Sequence, residues 1–207
     1  MKKIIFMGFI VVAGVLIGTY IAGEIHTAKI QEEIAEQLIR FHVRANSDSE
    51  EDQALKLKVK NKIVLYLEKE LENAATLDEA RNILYDDIGE ITEIALDVIE
   101  EEGYEYNVEV YFEEDYFPLK VYGDMAFPPG IYEAFRVDIG DAGGKNWWCV
   151  LYPPLCFVDS TYSVVPDDTK QKFEDVLSDE AYGAIMSEEC DNTYEFRFKF
   201  LTFLNKE

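Results

Sequence analysis

The sequence predicts an α+β fold, with an N-terminal membrane or signal helix followed by amphipathic helices packed on a mostly antiparallel sheet. Helical periodicity dominates residues 47–103, whereas segments of alternating apolar and polar residues follow from residue 104 onwards. Helices first and strands later favour an α+β fold over a doubly wound sheet. A chain of 207 residues is long enough for one domain with its own core.

Residues 1–23 are predicted to be a signal peptide or a membrane anchor. Two lysines at the start precede twenty residues without a charge, from Ile4 to Gly23. A signal peptide has an apolar core of about 7–15 residues and a membrane span needs about 20, so both classes stay open. Basic residues before the segment and acidic residues after it place the rest of the chain outside the cytoplasm.

The rest of the chain is predicted to be a stalk and one exported domain. Residues 24–37 have the mixed pattern of a polar, helical stalk, and residues 38–207 form the α+β domain. The formal net charge of −23 gives a surface that repels nucleic acid, so no nucleic-acid partner is expected. An N-terminal segment that is not cleaved would hold the domain at the membrane.

The first strand is predicted over residues 38–45, where apolar and polar side chains alternate. Arg40, His42 and Arg44 share one side of this strand. Two interpretations of that side are open. It is either a solvated face neutralised by nearby acids or a contact surface for a partner, since arginine and aromatic anchors concentrate binding energy.

The segment 46–52 resembles a calcium loop at first sight, because it is rich in serine and acidic residues. It lacks the central glycine and the closing glutamate of such a loop. A helix cap explains it better: Ser47 or Ser49 accepts from the first turn, and the acids lie at the positive end of the helix dipole. The pattern predicts a helix from here to about Leu71.

A second amphipathic helix is predicted to begin at Thr76, which forms a capping box with Glu79. Apolar residues then recur at intervals of three and four until Gly103, the expected C-terminal stop. Both helices need a sheet or each other to bury their apolar faces. The sequence therefore predicts amphipathic helices packed on the sheet that follows.

The sheet is predicted from alternating segments separated by turns. An acidic turn is expected at residues 113–115 and a glycine-rich hairpin turn at residues 140–146. The stretch 167–189 is acidic and partly helical. The predicted strands cover residues 104–112, 117–122, 131–139, 147–152 and, at the end of the chain, 194–200.

The segment around the tandem tryptophans has the most unusual composition of the chain. Trp147 and Trp148 point to opposite faces of a strand, and both are candidate partner contacts. Cys149 and Cys156 enclose a short loop with two prolines, which brings them within range of a disulfide. The alternative is that these cysteines and the isolated Cys190 are small buried apolar residues.

Catalytic and cofactor sites are not indicated by the sequence. The glycines of residues 140–146 lack the spacing of a phosphate loop, and no cluster has zinc-ligand spacing, so no metal and no cofactor is predicted. The alternative enzyme hypothesis is a secreted cysteine-dependent hydrolase, in which Cys149 or Cys156 uses His42 as base and Asp159 orients it. A structural cysteine pair is favoured over it.

Three segments resemble one protein family. They are IRFHVRANSDSEEDQALKLKVKNKI at 39–63, FPLKVYG at 117–123 and PPGIYEAFRVDIGDAGGKNWWCVLYPPLCFVD at 128–159. Together they resemble the stage II sporulation protein R family, and the third segment is the most specific. The long apolar start and the two intervening helices agree in order and length. One departure is Ala142, which stands where the turn is expected to have glycine.

The resemblance implies an exported signalling protein of endospore-forming bacteria. It implies a protein made in the forespore that crosses the forespore membrane into the intermembrane space. There it would activate a membrane-embedded aspartic protease, which processes the precursor of a mother-cell sigma factor. The family has no established catalytic residues, so the expected function is non-enzymatic, with the strand of Arg40, His42 and Arg44 and the tryptophan loop as candidate contacts.

Overall fold

The structure, a computed structural model, describes residues 2–156 and 164–186, with side chains from residue 13 onwards. The predicted last strand at 194–200, Asp159 and Cys190 lie outside the described residues. The elements are, in chain order, α1 (Lys2–Glu36), β1 (Ile39–Arg44), α2 (Glu50–Glu70), α3 (Leu77–Asp86), α4 (Ile88–Glu101), β2 (Val108–Phe117), β3 (Lys120–Tyr122), β4 (Met125–Phe127), β5 (Gly130–Ile139), β6 (Asn146–Tyr152), α5 (Asp167–Val176) and α6 (Asp179–Met186).

The first helix, α1, covers most of the predicted N-terminal segment and stalk. Its last turns pack on the domain, because Ile34 is completely buried and Ile30 lies against the same core. Gln31 donates a hydrogen bond of 3.4 Å to the carbonyl of Ile131 in β5. In the part of the chain that the structure describes, no helix has the length and apolar character needed to span a membrane.

The main sheet has four strands in the order β2-β5-β1-β6, and β3 pairs with β4 in a separate hairpin. β1 lies between β5 and β6, parallel to β5 and antiparallel to β6, and β2 is antiparallel to β5. The α+β class is therefore confirmed. The sheet is mixed, because its two central strands, β1 and β5, are parallel. The sequence did not predict this parallel pairing.

Two predicted turns are wrong. Residues 113–115 do not turn: they lie inside β2, which pairs with β5 along its whole length. The loop 140–146 is not a hairpin turn, because β1 separates the strands that it joins. This loop wraps the end of β1, where Gly143 and Gly144 donate to the carbonyls of Asn46 and Ala45.

One face of the sheet, here called the helical face, is covered by α2, α3 and α4. Ser49 caps α2, as predicted, and Asp52 N–H donates to its hydroxyl over 3.1 Å. The predicted helix at 76–103 is two helices that divide at Asp87, where Asp-Ile-Gly weakens helix propensity. Gly103 ends α4 at φ 82°, with the two hydrogen bonds of a Schellman motif.

The opposite face, here called the polar face, is covered by the end of α1, the β3–β4 hairpin, α5 and α6. A second apolar core fills one half of it, and its fully buried aromatic members include Phe117, Phe127 and Phe173. The other half carries charged side chains from β1, β2 and β5. It is this half that the candidate site occupies.

Candidate functional site

Charged side chains form rows across the polar face, because paired residues of neighbouring strands point to the same side. Tyr111, Arg136, His42 and Trp148 make one row across the four strands. The neighbouring rows contain Glu113 with Arg40 and Asp138 with Arg44. The charged cluster, as defined here, consists of Arg44, Arg136, Asp138, Glu113, Asp115 and His42.

Asp138 is the centre of the charged cluster. Arg44 donates to its two carboxylate oxygens through Nε and Nη2, both at 2.9 Å, and Arg136 donates through Nε at 2.9 Å. The Tyr111 hydroxyl adds a fourth bond of 3.0 Å. Burial and the neighbouring Asp138 carboxylate raise the pKa of Tyr111, so this hydroxyl stays a donor.

Arg136 links the centre to two further carboxylates on β2. Its Nη1 donates to Glu113 and lies 4.0 Å from an oxygen of Asp115. Burial raises the pKa of Glu113, and the nearby charges of Asp115 and Asp138 raise it further. The side chains of Glu113 and Asp115 are 29% and 32% exposed, so this edge of the charged cluster reaches the solvent.

His42 is completely buried, which contradicts its expected place on an exposed strand face. Its ring stacks on Trp148 at 5.0 Å and lies 5.4 Å from Phe117. Neither ring nitrogen has a hydrogen-bond partner in the part of the chain that the structure describes. Burial lowers the pKa of His42 to about 4, and Arg44 and Arg40 add to this against the opposing charge of Asp138, so the ring is neutral at neutral pH.

Arg40 is also completely buried, so at Arg40 and His42 neither a solvated strand face nor a partner contact fits the structure. Its guanidinium lies 4.6, 5.4 and 5.1 Å from the ring centres of Phe117, Phe127 and Tyr132. Nη2 makes one long bond of 3.5 Å to the Tyr122 hydroxyl, and Nε and Nη1 have no hydrogen-bond partner within residues 2–156 and 164–186. Burial lowers the pKa of Arg40. Aromatic contacts, rather than carboxylates, hold this cation.

The tryptophans lie on opposite faces of β6 as predicted, and both are half-buried. Trp147 meets Phe41 on the helical face, with Lys60 4.6 Å from its ring centre. Trp148 lies on the polar face, with Lys120 5.4 Å from its ring centre. Arg44 is half-exposed, so these tryptophans and Arg44 are the partner-contact candidates that the surface presents.

Cys149 and Cys156 are joined by a disulfide, with 5.5 Å between their Cα atoms. Cys149 belongs to the core of the helical face, whereas His42 is one residue further along the paired strand and points to the polar face. The structure therefore does not bring either cysteine to His42. This geometry contradicts the cysteine-dependent hydrolase, which needs a free thiol within hydrogen-bond reach of its base.

A groove of about 780 Å³ runs beside the charged cluster, between α1, α3 and the strands β2 and β5. Its floor is apolar and includes Tyr85 and Ile131, which are 50% and 52% exposed. All but one of its charged lining residues are acidic, and the one cation is Arg81, bound to Glu133 at 2.8 and 2.9 Å. The lining carboxylates without an ion-pair partner among the described residues are Glu32, Glu36 and Glu114.

Sequence reasoning missed the acidic half of this site. Glu113 and Asp115 fall in the predicted turn at 113–115, and no role is predicted for Arg136 and Asp138. The sequence does contain a signal for this part of the strand, since residues 111, 113 and 115 occupy every second position, as side chains on one face of a strand do. The groove has no such signal, because it depends on how α1 approaches the sheet.

The fold and the site define a mixed α+β domain with a long N-terminal helix, whose charged groups are held as ion pairs on one sheet face beside an acidic groove. The chain belongs to the stage II sporulation protein R family, whose family model matches residues 35–162. The resemblance seen in the sequence is thereby confirmed.

The similarity extends over most of the chain. It is 36% identical over 180 residues to the stage II sporulation protein R of Bacillus subtilis (strain 168), which covers 83% of this chain and 80% of that relative. No solved structure matches the chain.

Proposed function

We propose that this sporulation protein is a non-enzymatic signal that activates a membrane-embedded aspartic protease, leading to processing of a sigma factor precursor. Membership of the stage II sporulation protein R family is the observation that carries this proposal. The basic start and the uncharged residues 4–23 support export across the forespore membrane into the intermembrane space, as a cleaved signal peptide or an anchor.

The acidic groove is the surface best suited to contact the protease. Its exposed floor of Tyr85 and Ile131 supplies apolar area, and the carboxylates of Glu32, Glu36 and Glu114 surround that floor without bound cations among the described residues. A segment of the protease with apolar and basic side chains complements both features. Such charge complementarity accelerates association and selects the partner.

Charge reversal on α1 tests the contact surface. The variant Glu32→Lys with Glu36→Lys replaces two carboxylates, one helical turn apart in the groove wall, with lysines, which repel a basic segment of the partner. The control variant Glu93→Lys with Asp97→Lys makes the same change on the exposed side of α4, away from the groove. The readout is cleavage of the precursor by the protease in membranes, titrated with each purified variant.

We expect the groove variant to need at least about tenfold more protein for half-maximal cleavage, and the control to match the wild type. The difference should shrink at high salt, because salt screens exposed charges. Equal titration curves for the two variants, with unchanged folding, would exclude the groove as the contact surface while leaving activation itself intact.

An inactive protease tests whether this chain activates the protease or cleaves the precursor itself. With a protease variant that lacks its catalytic aspartates, adding the chain should give no precursor cleavage. Cleavage under those conditions would mean that the chain is an enzyme and would overturn the proposal. Mass spectrometry of the N-terminus of the exported protein then distinguishes a cleaved signal peptide, which leaves a start near residue 24, from an intact anchor.

A further inference from the structure

A histidine and two carboxylates meet at the solvent edge of the charged cluster. Nε2 of His42 lies 3.7 Å from an oxygen of Glu113 and 3.6 Å from an oxygen of Asp115. The three ligand atoms all lie within 4.8 Å of one another. These distances are too long for hydrogen bonds. They are close to the separation of about 3.4 Å between two ligands of a tetrahedral metal with bonds of about 2.0–2.1 Å.

The unpartnered imidazole is the observation that points to a missing ligand. His42 is completely buried, and neither of its nitrogens makes a hydrogen bond to any residue that the structure describes. Buried polar atoms in folded proteins nearly always have a partner, so an imidazole nitrogen left without one, and directed at two carboxylates, is an exception that needs a cause. A metal ion bound between these groups supplies that partner.

We propose that His42, Glu113 and Asp115 bind one divalent transition-metal ion. One imidazole nitrogen and two carboxylate oxygens suit Zn²⁺ and Mn²⁺ better than a hard cation such as Ca²⁺, which prefers six or more oxygen ligands. Three protein ligands leave at least one position for water or a partner group. The site does not depend on the proposed protease activation.

The surroundings orient the two carboxylates. The N–H of Tyr116 donates to Oδ1 of Asp115 over 2.8 Å, which leaves Oδ2 directed at His42. Arg136 donates to Oε1 of Glu113, the same oxygen that lies 3.7 Å from His42, and is itself bound to Asp138, so a bound metal shares this oxygen with the guanidinium. Such outer contacts are the usual support of metal-binding carboxylates. The partial exposure of Glu113 and Asp115 gives the ion a path from the solvent.

The local charge balance limits the affinity. The carboxylates of Glu113, Asp115 and Asp138 outnumber the guanidiniums of Arg44 and Arg136, but the buried cation Arg40 lies on the same face. A divalent ion is therefore attracted by Glu113 and Asp115 and opposed by Arg136, whose Nη1 donates to Glu113 and lies 4.0 Å from Oδ2 of Asp115. We expect micromolar affinity rather than the tighter binding of a closed structural zinc site.

Metal titration of the full chain tests the site. The protein is treated with a chelator, dialysed, and titrated calorimetrically with Zn²⁺ and separately with Mn²⁺. Asp115→Asn and Glu113→Gln each remove one ligand at a half-exposed position. The control is Glu109→Gln, an exposed position on the same face of the same strand. Circular dichroism verifies that each variant is folded.

We expect one equivalent of at least one of the two ions to bind to the wild type and to Glu109→Gln. Each ligand variant should weaken binding at least about tenfold. The metal should raise the melting temperature of the wild type but not that of Asp115→Asn. Absence of stoichiometric binding of either ion, or equal binding by the control and both ligand variants, would overturn the proposal.

Discussion

Arg40 shows how a single residue departs from the rule that buried charges are paired. Its guanidinium has aromatic rings around it and no carboxylate partner among the described residues. Burying an ion without a counter-ion costs several kcal/mol, and cation–π contacts return about 2 kcal/mol or more. The charge of Arg40 therefore does not stabilise the fold. The contribution of Arg40 comes from the length of its side chain and from its packing against the aromatic rings.

Replacing Arg40 with methionine tests this inference. Methionine retains most of the side-chain volume and removes the charge, so we expect the free energy of unfolding of Arg40→Met to equal or exceed that of the wild type. Arg40→Ala should lose about 2–5 kcal/mol, because it leaves a cavity. Both are measured by urea denaturation at neutral pH. If Arg40→Met is destabilised as much as Arg40→Ala, the charge itself is required.

Ala142 has a left-handed backbone conformation, with φ 49°. That conformation costs alanine about 1–2 kcal/mol, whereas the added freedom of glycine in the unfolded chain costs about 0.5–1 kcal/mol. We expect Ala142→Gly to stabilise the protein by about 0.5 kcal/mol in urea denaturation. A less stable variant would contradict this account of the turn.

Gly140 provides the opposite control in the same loop. It has φ 59°, and a Cβ atom there would overlap Oδ1 of Asn46. Gly140→Ala should therefore destabilise the protein by more than about 1 kcal/mol, since both the backbone and the close contact oppose it. Opposite effects of the two substitutions on stability are expected for a loop that packs against the end of β1, and not for a free hairpin turn.

At the level of elements, the start of α2 depends on the ionised form of Asp52. Its carboxylate accepts from the hydroxyl of Ser47 at 2.6 Å and from the side-chain amide of Asn46 at 2.9 Å. The Ser47 hydrogen bond is the main cause of a lowered pKa. These contacts tie the end of β1 to the first turn of α2, and the glycine-rich loop closes over the same segment.

The lowered pKa gives a pH dependence with a definite sign. A carboxyl group whose folded pKa lies below its unfolded value of 3.8 stabilises the fold above that value and loses this contribution as the pH falls through the folded pKa. We expect Asp52→Asn to be less stable than the wild type at pH 7, and the difference to shrink only as the pH falls below the unfolded pKa of 3.8 and through the lower folded pKa. Urea denaturation from pH 7 to pH 2.5 measures the difference.

The matched control is Glu51→Gln, an exposed residue of the same helical turn without a side-chain hydrogen bond among those described. Its stability should follow the wild type in parallel over the whole pH range. A constant difference between Asp52→Asn and the wild type at every pH would show that shape, and not ionisation, explains the contribution of Asp52.

For the whole molecule, local patterns predicted elements well and their arrangement less well. The caps at Ser49, Thr76 and Gly103 depend on neighbouring residues and are confirmed. The insertion of β1 between β5 and β6 depends on pairing across about a hundred residues, which no local pattern records. For the same reason, the alternation in β1 predicted the strand but not the burial of His42.

The net charge of −23 predicts that salt stabilises the folded protein. Repulsion among like charges opposes the compact state, and raising the ionic strength from about 0.02 M to 0.3 M shortens the screening length enough to weaken it. The melting temperature of the wild type should rise with NaCl. The variant Glu93→Lys with Asp97→Lys raises the net charge by four, to −19, and should show a smaller rise.

Ion pairs such as those around Asp138 are buried and screened less, so they do not reverse this trend. A melting temperature that falls with salt would instead mean that ion pairs, rather than net repulsion, dominate the electrostatic free energy of folding.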